Sequence, residues 1–175
     1  ANGTLGANYN GNYPVETQFS ITAVPNTGYM FNGWTGDTGV LANPNSATTT
    51  LTVSAGSVNI TANFIVDPSQ TFALGLTLGA HGVSVTGAGS YNVEHVQTIS
   101  AVAANGYKFK NWTGDVAHVA NANLASTTVT MPAAAVNLIA NFEVDNSQTY
   151  IITVTAGANG TLGANYNGNY PVETQ

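Results

Sequence analysis

The side chains able to do chemistry are few and scattered. Asp37 and Asp115, with Asp67 and Asp145, offer the oxygens that calcium prefers. A calcium site gathers several such ligands in a short span. No D-x-D-x-D-G cluster is present, so each aspartate is expected to accept backbone N–H bonds in a turn. His81, His95 and His118 stand where the matching positions elsewhere in the chain are Asn2, Thr17 and Val40. A metal centre intrinsic to a repeated module would recur with the module, so surface histidines are the expectation. Lys108 and Lys110 are the only basic residues. A crosslink to asparagine needs a buried lysine, whereas Phe109 between them takes the inward strand position and turns both outward. No serine lies in G-x-S-x-G, and no histidine has a recurring acid partner. The chain is therefore expected to be no enzyme, with no catalytic residue, no metal and no cofactor.

Asn-X-Ser/Thr triplets begin at Asn2, Asn59, Asn111 and Asn159. They are candidate glycan acceptors, of a kind that chance supplies readily in a chain rich in asparagine and threonine.

The aromatic residues are organised differently. GYMFNGWTGD at 28–37 recurs as GYKFKNWTGD at 106–115, with Trp34 and Trp112 78 residues apart. Tryptophan faces stack on sugar rings, so a polysaccharide platform is one reading. The other is core: a tryptophan with phenylalanine three residues before it, in both copies, has the pattern of a fixed packing position. On that reading Tyr29, Phe31, Trp34 and Asp37, and again Tyr107, Phe109, Trp112 and Asp115, form the structural hub of a small β unit. Gly36 and Gly114 make its turns. Tyr9, Tyr13 and Tyr91, in a Gly/Asn-rich stretch, are better candidates for exposed rings.

The elements that position the hub follow from period-2 alternation. Phe72, Leu74 and Leu76 open one unit; Tyr150, Ile152 and Val154 open the other. A Gly/Asn-rich hairpin region follows, then strands around Phe19–Ala23 and Ile99–Ala101, then the hub itself. The hub strand needs a bulge to bring Trp34 to the face of Tyr29 and Phe31. A loop at 38–45 or 116–123 leads into strands at Leu51–Val53 and Val129–Met131. The unit closes on Val58–Phe64 or Val136–Phe142. No stretch carries a capped helical stripe.

The fold class is accordingly all-β: small tandem modules of about 78 residues in a linear array. The expected division is 1–70, a unit without its first strand; 71–148, a full unit; and 149–175, the start of the next. Residues 158–175 repeat 1–18 without change, at an offset of 157. Residues 149–157 are thus expected where a neighbouring copy's residue 1 begins. Either a longer continuous array or subunits joined end to end by strand donation would place them there; the duplicated stretch favours the continuous array.

Composition removes several function classes. Charged residues are 6% of the chain, against roughly 25% in ordinary soluble domains. Two Lys+Arg and a net charge of −6 leave no basic footprint for nucleic acid or anionic lipid. No apolar run is long enough to cross a membrane as a helix. Cysteine is absent, which excludes disulfides and thiolate metal sites.

The order of aromatic strand, Gly-rich hairpin, Thr/Val strand, G-Y-x-F-x-x-W-T-G-D, Thr-rich strand and A-N-F resembles the divergent InlB B-repeat family of bacterial and archaeal surface proteins, related to the Listeria–Bacteroides repeat. The resemblance implies β modules strung in large secreted proteins, adhesins or stalks, with no catalytic role. The expected function is a structural segment of a long extracellular or cell-surface protein, a fibre or adhesin shaft, whose partners are neighbouring copies of the repeat. The rival is a carbohydrate-binding accessory module of a secreted protein, with surface polysaccharide as partner. Exposure separates them: binding needs a surface row of aromatic rings, whereas a shaft buries them.

Overall fold

The computed structural model describes residues 1–164 and 166–172. They form strands and turns, with one short 3-10 turn in each of two loops. The chain divides into two compact units, residues 1–72 with 91–94, and 73–90 with 95–175.

In the first unit, β1 (Gly3–Leu5), β2 (Gln18–Pro25) and β4 (Thr48–Thr52) make one antiparallel sheet. β3 (Tyr29–Gly36) and β5 (Ile60–Val66) make a second. Alternation along β2 turns Ile21 and Ala23 inward and Ser20 and Val24 outward. Ile21 and Ala23 pack with Leu51 of β4, Trp34 of β3 and Leu41 of the loop between them, so the core lies between the sheets. The Thr-rich outer faces need no ionic groups, because a threonine suits a half-exposed strand by its branched Cβ.

The second unit repeats this plan and adds to it. β7 (Gly82–Thr86), β9 (Val96–Ala103) and β11 (Ser126–Thr130) form a three-stranded sheet in the order β11-β9-β7. The other sheet has four strands, β10 (Tyr107–Gly114), β12 (Val136–Val144), β6 (Phe72–Leu78) and β8 (Gly89–Tyr91), in that order. β6 runs parallel to β12 in the register Val136↔Leu74 to Ala140↔Leu78. A last hairpin-like pair joins β13 (Tyr150–Ile152) to β14 (Gly168–Tyr170).

Two local expectations are corrected. The Gly-rich stretch at 79–89 holds strand β7, and the matching region of the first unit holds β1, both short strands set among turn glycines. Phe64 explains the glycine: its ring lies on Gly3, where a Cβ would sit 2.5 Å from the ring edge. Finally, the loops at 38–45 and 116–123 open with 3-10 turns at Thr38–Val40 and Val116–His118.

Candidate functional site

The hub is built the same way in both units, starting from its bulge. Pairing of β3 with β5 slips between Phe31 and Trp34, and that of β10 with β12 between Phe109 and Asn111. A bulge leaves main-chain groups without ladder partners. One asparagine supplies them: Asn63 Nδ2 donates to the Gly33 carbonyl at 3.1 Å and Thr35 Oγ1 at 3.0 Å. Asn141 Nδ2 repeats this on Asn111 O at 3.2 Å and Thr113 Oγ1 at 3.0 Å. The recurring A-N-F asparagine was readable as a fixed position; its partner was not, because it lies 30 residues away.

The bulge turns Trp34 and Trp112 into the core, 6% and 1% exposed. Each tryptophan also fastens a loop. Trp34 donates its main-chain N–H to Pro44 O at 2.8 Å and its indole N–H to Ser46 O at 2.9 Å. Trp112 donates likewise to Ala122 O at 2.7 Å and Leu124 O at 3.0 Å. Inside that loop Asn43 Oδ1 accepts from Asn45 N, and the buried Thr49 hydroxyl accepts from Asn43 N. Asn121 and Thr127 do the same in the second unit.

Phe31 stands 5.6 Å from Trp34 between ring centres and meets Phe64 edge-on; Phe109 repeats both contacts with Trp112 and Phe142. Such tilted pairs contribute beyond their buried area. The phenylalanines and tyrosines of the hub are half-buried, so the tryptophans alone of the hub aromatics are fully enclosed. The two tyrosines have different neighbours. Tyr29 donates its hydroxyl to Glu94 Oε1 at 2.6 Å, and this bond raises the phenol pKa above its usual value. Tyr107 stacks on His81 with ring centres 4.0 Å apart.

Asp37 and Asp115 do not serve their own turns. Asp37 Oδ2 accepts from Asn59 N, and Asp115 Oδ2 from Asn137 N, both at 2.8 Å and across 22 residues. The fold makes this reach short: Gly36 and Gly114, at φ of 97° and 101°, bend the chain so closely that a Cβ would strike the Asn59 or Asn137 carbonyl. Asp67 and Asp145 do cap local turns. Asp67 Oδ1 accepts from Ser69 N and Oγ, and its Oδ2 from Gln70 Nε2; Asp145 has the same partners in Ser147 and Gln148. These bonds hold both carboxyls below the ordinary range, the serine hydroxyl contributing most.

Among the described residues no three His, Asp or Glu side chains come close enough to hold a metal ion. Lys108 and Lys110 are exposed and pair with Glu143 at 3.5 and 3.7 Å, a surface contact of small weight. Of the candidate glycan acceptors, Asn59 and Asn159 are exposed and Asn2 half-buried; Asn111 is half-buried in the bulge, with its Oδ1 accepting from Asn141. Tyr9 and Tyr13 both pack on Phe19, at 6.2 and 4.9 Å between ring centres. Tyr13 keeps 40% of its surface open.

No helix of the described chain is long and apolar enough to cross a membrane. No curated protein and no solved structure gives a significant match. The profile of one family does match, twice in tandem, over residues 1–68 and 73–146, so that each match encloses one hub. The chain belongs to the divergent InlB B-repeat domain family, a family of surface-protein repeats.

Proposed function

We propose that this chain is a structural segment, the shaft of a long extracellular protein, extended by adding further copies of the same β unit. The observation that carries this reading is where the aromatic residues go. Both tryptophans are enclosed and committed to loop carbonyls, and Tyr9 and Tyr13 lie against Phe19. No exposed row of rings is left among the hub residues to stack on a polysaccharide. The surface carries few charges, with threonine, asparagine and serine beside exposed apolar side chains such as Val83 and Val96, and its behaviour depends little on salt. In such a protein stability is additive, each unit holding its own core and touching only its neighbours.

Electron microscopy of chains carrying one, two and four tandem copies of residues 1–157 tests this. Contour length is expected to grow in proportion to copy number. Particles whose length stays constant as copies are added, or saturable binding of insoluble polysaccharide by the single chain, would overturn the reading in favour of a binding module.

A further inference from the structure

The first unit contains an open cavity beside β5. A cavity of about 590 Å³ opens between Gly11–Tyr13 on one side and Ile60–Ala62 of β5 on the other, with Trp34 and Val53 at its base. Among the described residues β5 has β3 as its only strand neighbour.

The second unit shows what belongs in such a gap. Its sheet runs β10-β12-β6-β8. A shift of 78 residues, the spacing of Trp34 and Trp112, turns β5 into residues 138–144 of β12, and Gly11–Tyr13 into β8 (Gly89–Tyr91). The strand between these two is β6, whose Leu74 is 2% exposed. With β6 in place Met131, Val136, Leu138 and Ala140 are all buried; their counterparts Val53, Val58, Ile60 and Ala62 are half-open.

The same shift turns β6 into residues 150–156. That segment carries Tyr150, Ile152 and Val154 at the positions of Phe72, Leu74 and Leu76. Only Tyr150–Ile152 forms strand, and Ile152 is 46% exposed where Leu74 is enclosed. One edge of β13 is already taken, by Gly168–Tyr170 in the register Tyr150↔Tyr170 to Ile152↔Gly168. Gly168–Tyr170 and Gly11–Tyr13 have the same sequence, GNY.

We propose that this gap receives residues 150–156 of a neighbouring copy, the segment that a continuous array places directly before residue 1 and that separate chains donate to one another. The incoming strand lies parallel to β5 in the register Val58↔Ile152, Asn59↔Thr153, Ile60↔Val154, Thr61↔Thr155 and Ala62↔Ala156. It exchanges its own Gly168–Tyr170 for the Gly11–Tyr13 of the other copy. Because those three residues are identical, the exchange is close to neutral on that edge. The net gain is the ladder to β5 and the enclosure of Ile152 and Val154, as in other cases of strand addition. This rests on the shaft reading for its context, and adds to it the surface, the segment and the register by which one copy meets the next.

The absence of cysteine makes the register directly testable. Thr61 and Thr155 are both exposed. A Thr61→Cys chain mixed with a size-tagged Thr155→Cys chain should give a disulfide-linked heterodimer under mild oxidation. The yield should be at least tenfold above that of Thr61→Cys mixed with Ile151→Cys, four residues out of register. Adding Ile152→Asp to the Thr155→Cys chain should abolish the heterodimer while leaving the melting curve unchanged, since Ile152 is open to water in its own chain. Equal yields for the two pairings, or indifference to Ile152→Asp, would overturn the proposal. So would a Thr61→Cys, Thr155→Cys double variant that closes within one chain and forms no ladder of multimers. If contour length still scales with tandem copies, such a failure removes the gap assignment and leaves the shaft reading standing.

Discussion

The two units carry the same hub, the same bulge asparagine and the same aspartate clasps, yet their cores are closed to different degrees. Trp112 sits behind a sheet in which β6 covers β12; Trp34 sits behind β5, whose outer edge is open. Ile60 and Ala62 are half-open, while Leu138 and Ala140 are buried. The hub therefore sets the fold of a unit without completing its core. Completion comes from one strand that the hub does not contain, and the apolar residues of the last strand are shaped for that cover. The inward face of β12 is closed under β6, whereas that of β5 stays half-open.

Replacing the tryptophans one at a time should separate the units most sharply. Trp112→Ala removes a fully enclosed ring and is expected to cost unit two about 4 kcal/mol; Trp34→Ala, beside an open gap, about 3 kcal/mol. Each variant leaves the other tryptophan as a fluorescence reporter, so denaturant titration reads the untouched unit separately. Equal costs in the two units would mean that the covering strand does not tighten the core around the ring.

A smaller effect isolates that strand. Leu74→Ala should destabilise unit two by about 3 kcal/mol, from the cavity it leaves. Ile152→Ala, at the matching position, should change the isolated chain by about 0.5 kcal/mol or less, as exposed sites usually do. Thermal melts of both variants check this, and a large loss from Ile152→Ala would erase the distinction between the two strands.

The smallest effect should fall equally on both units. Asp67 and Asp145 have carboxyl pKa values lowered by Ser69 and Ser147 first and by Gln70 and Gln148 next. A lowered pKa in the fold stabilises above the ordinary carboxylate value of 3.8. That contribution is lost as pH falls below 3.8 and through the lowered value in the fold. Asp67→Asn and Asp145→Asn should each flatten the acid limb of a melting-temperature profile between about pH 2 and 5. An unchanged limb in either variant would show that the turn does not hold its carboxylate in solution.

Much of this was open to reading in the sequence. Recurrence exposed the hub, and alternation exposed β2, β6 and β9, because those strands have one face in the core and one in water. The loop turns and the strands β1 and β7 were hidden, since runs of three to five residues set among turn glycines are too short to stand out. The long-range bonds of Asp37 and Asn63 were hidden for another reason. Their partners are main-chain groups 22 and 30 residues away, which a residue of any type can present. Tyr29 shows a further limit: its partner Glu94 stands 65 residues on and recurs in type as Glu16, yet nothing in the spacing joins the two.

The parallel pairing of β6 with β12 has a consequence for a chain under tension. These are the first and last strands of one family repeat, and they lie side by side pointing the same way. Force that enters at the start of β6 and leaves at the end of β12 drags the two strands past each other along their common axis. The five paired positions from Val136↔Leu74 to Ala140↔Leu78 then resist together, in shear. An antiparallel arrangement of the same strands would present its bonds to the pull one after another, like a zip. The order in which this repeat lays down its strands is therefore the order that makes its closing ladder fail all at once or not at all.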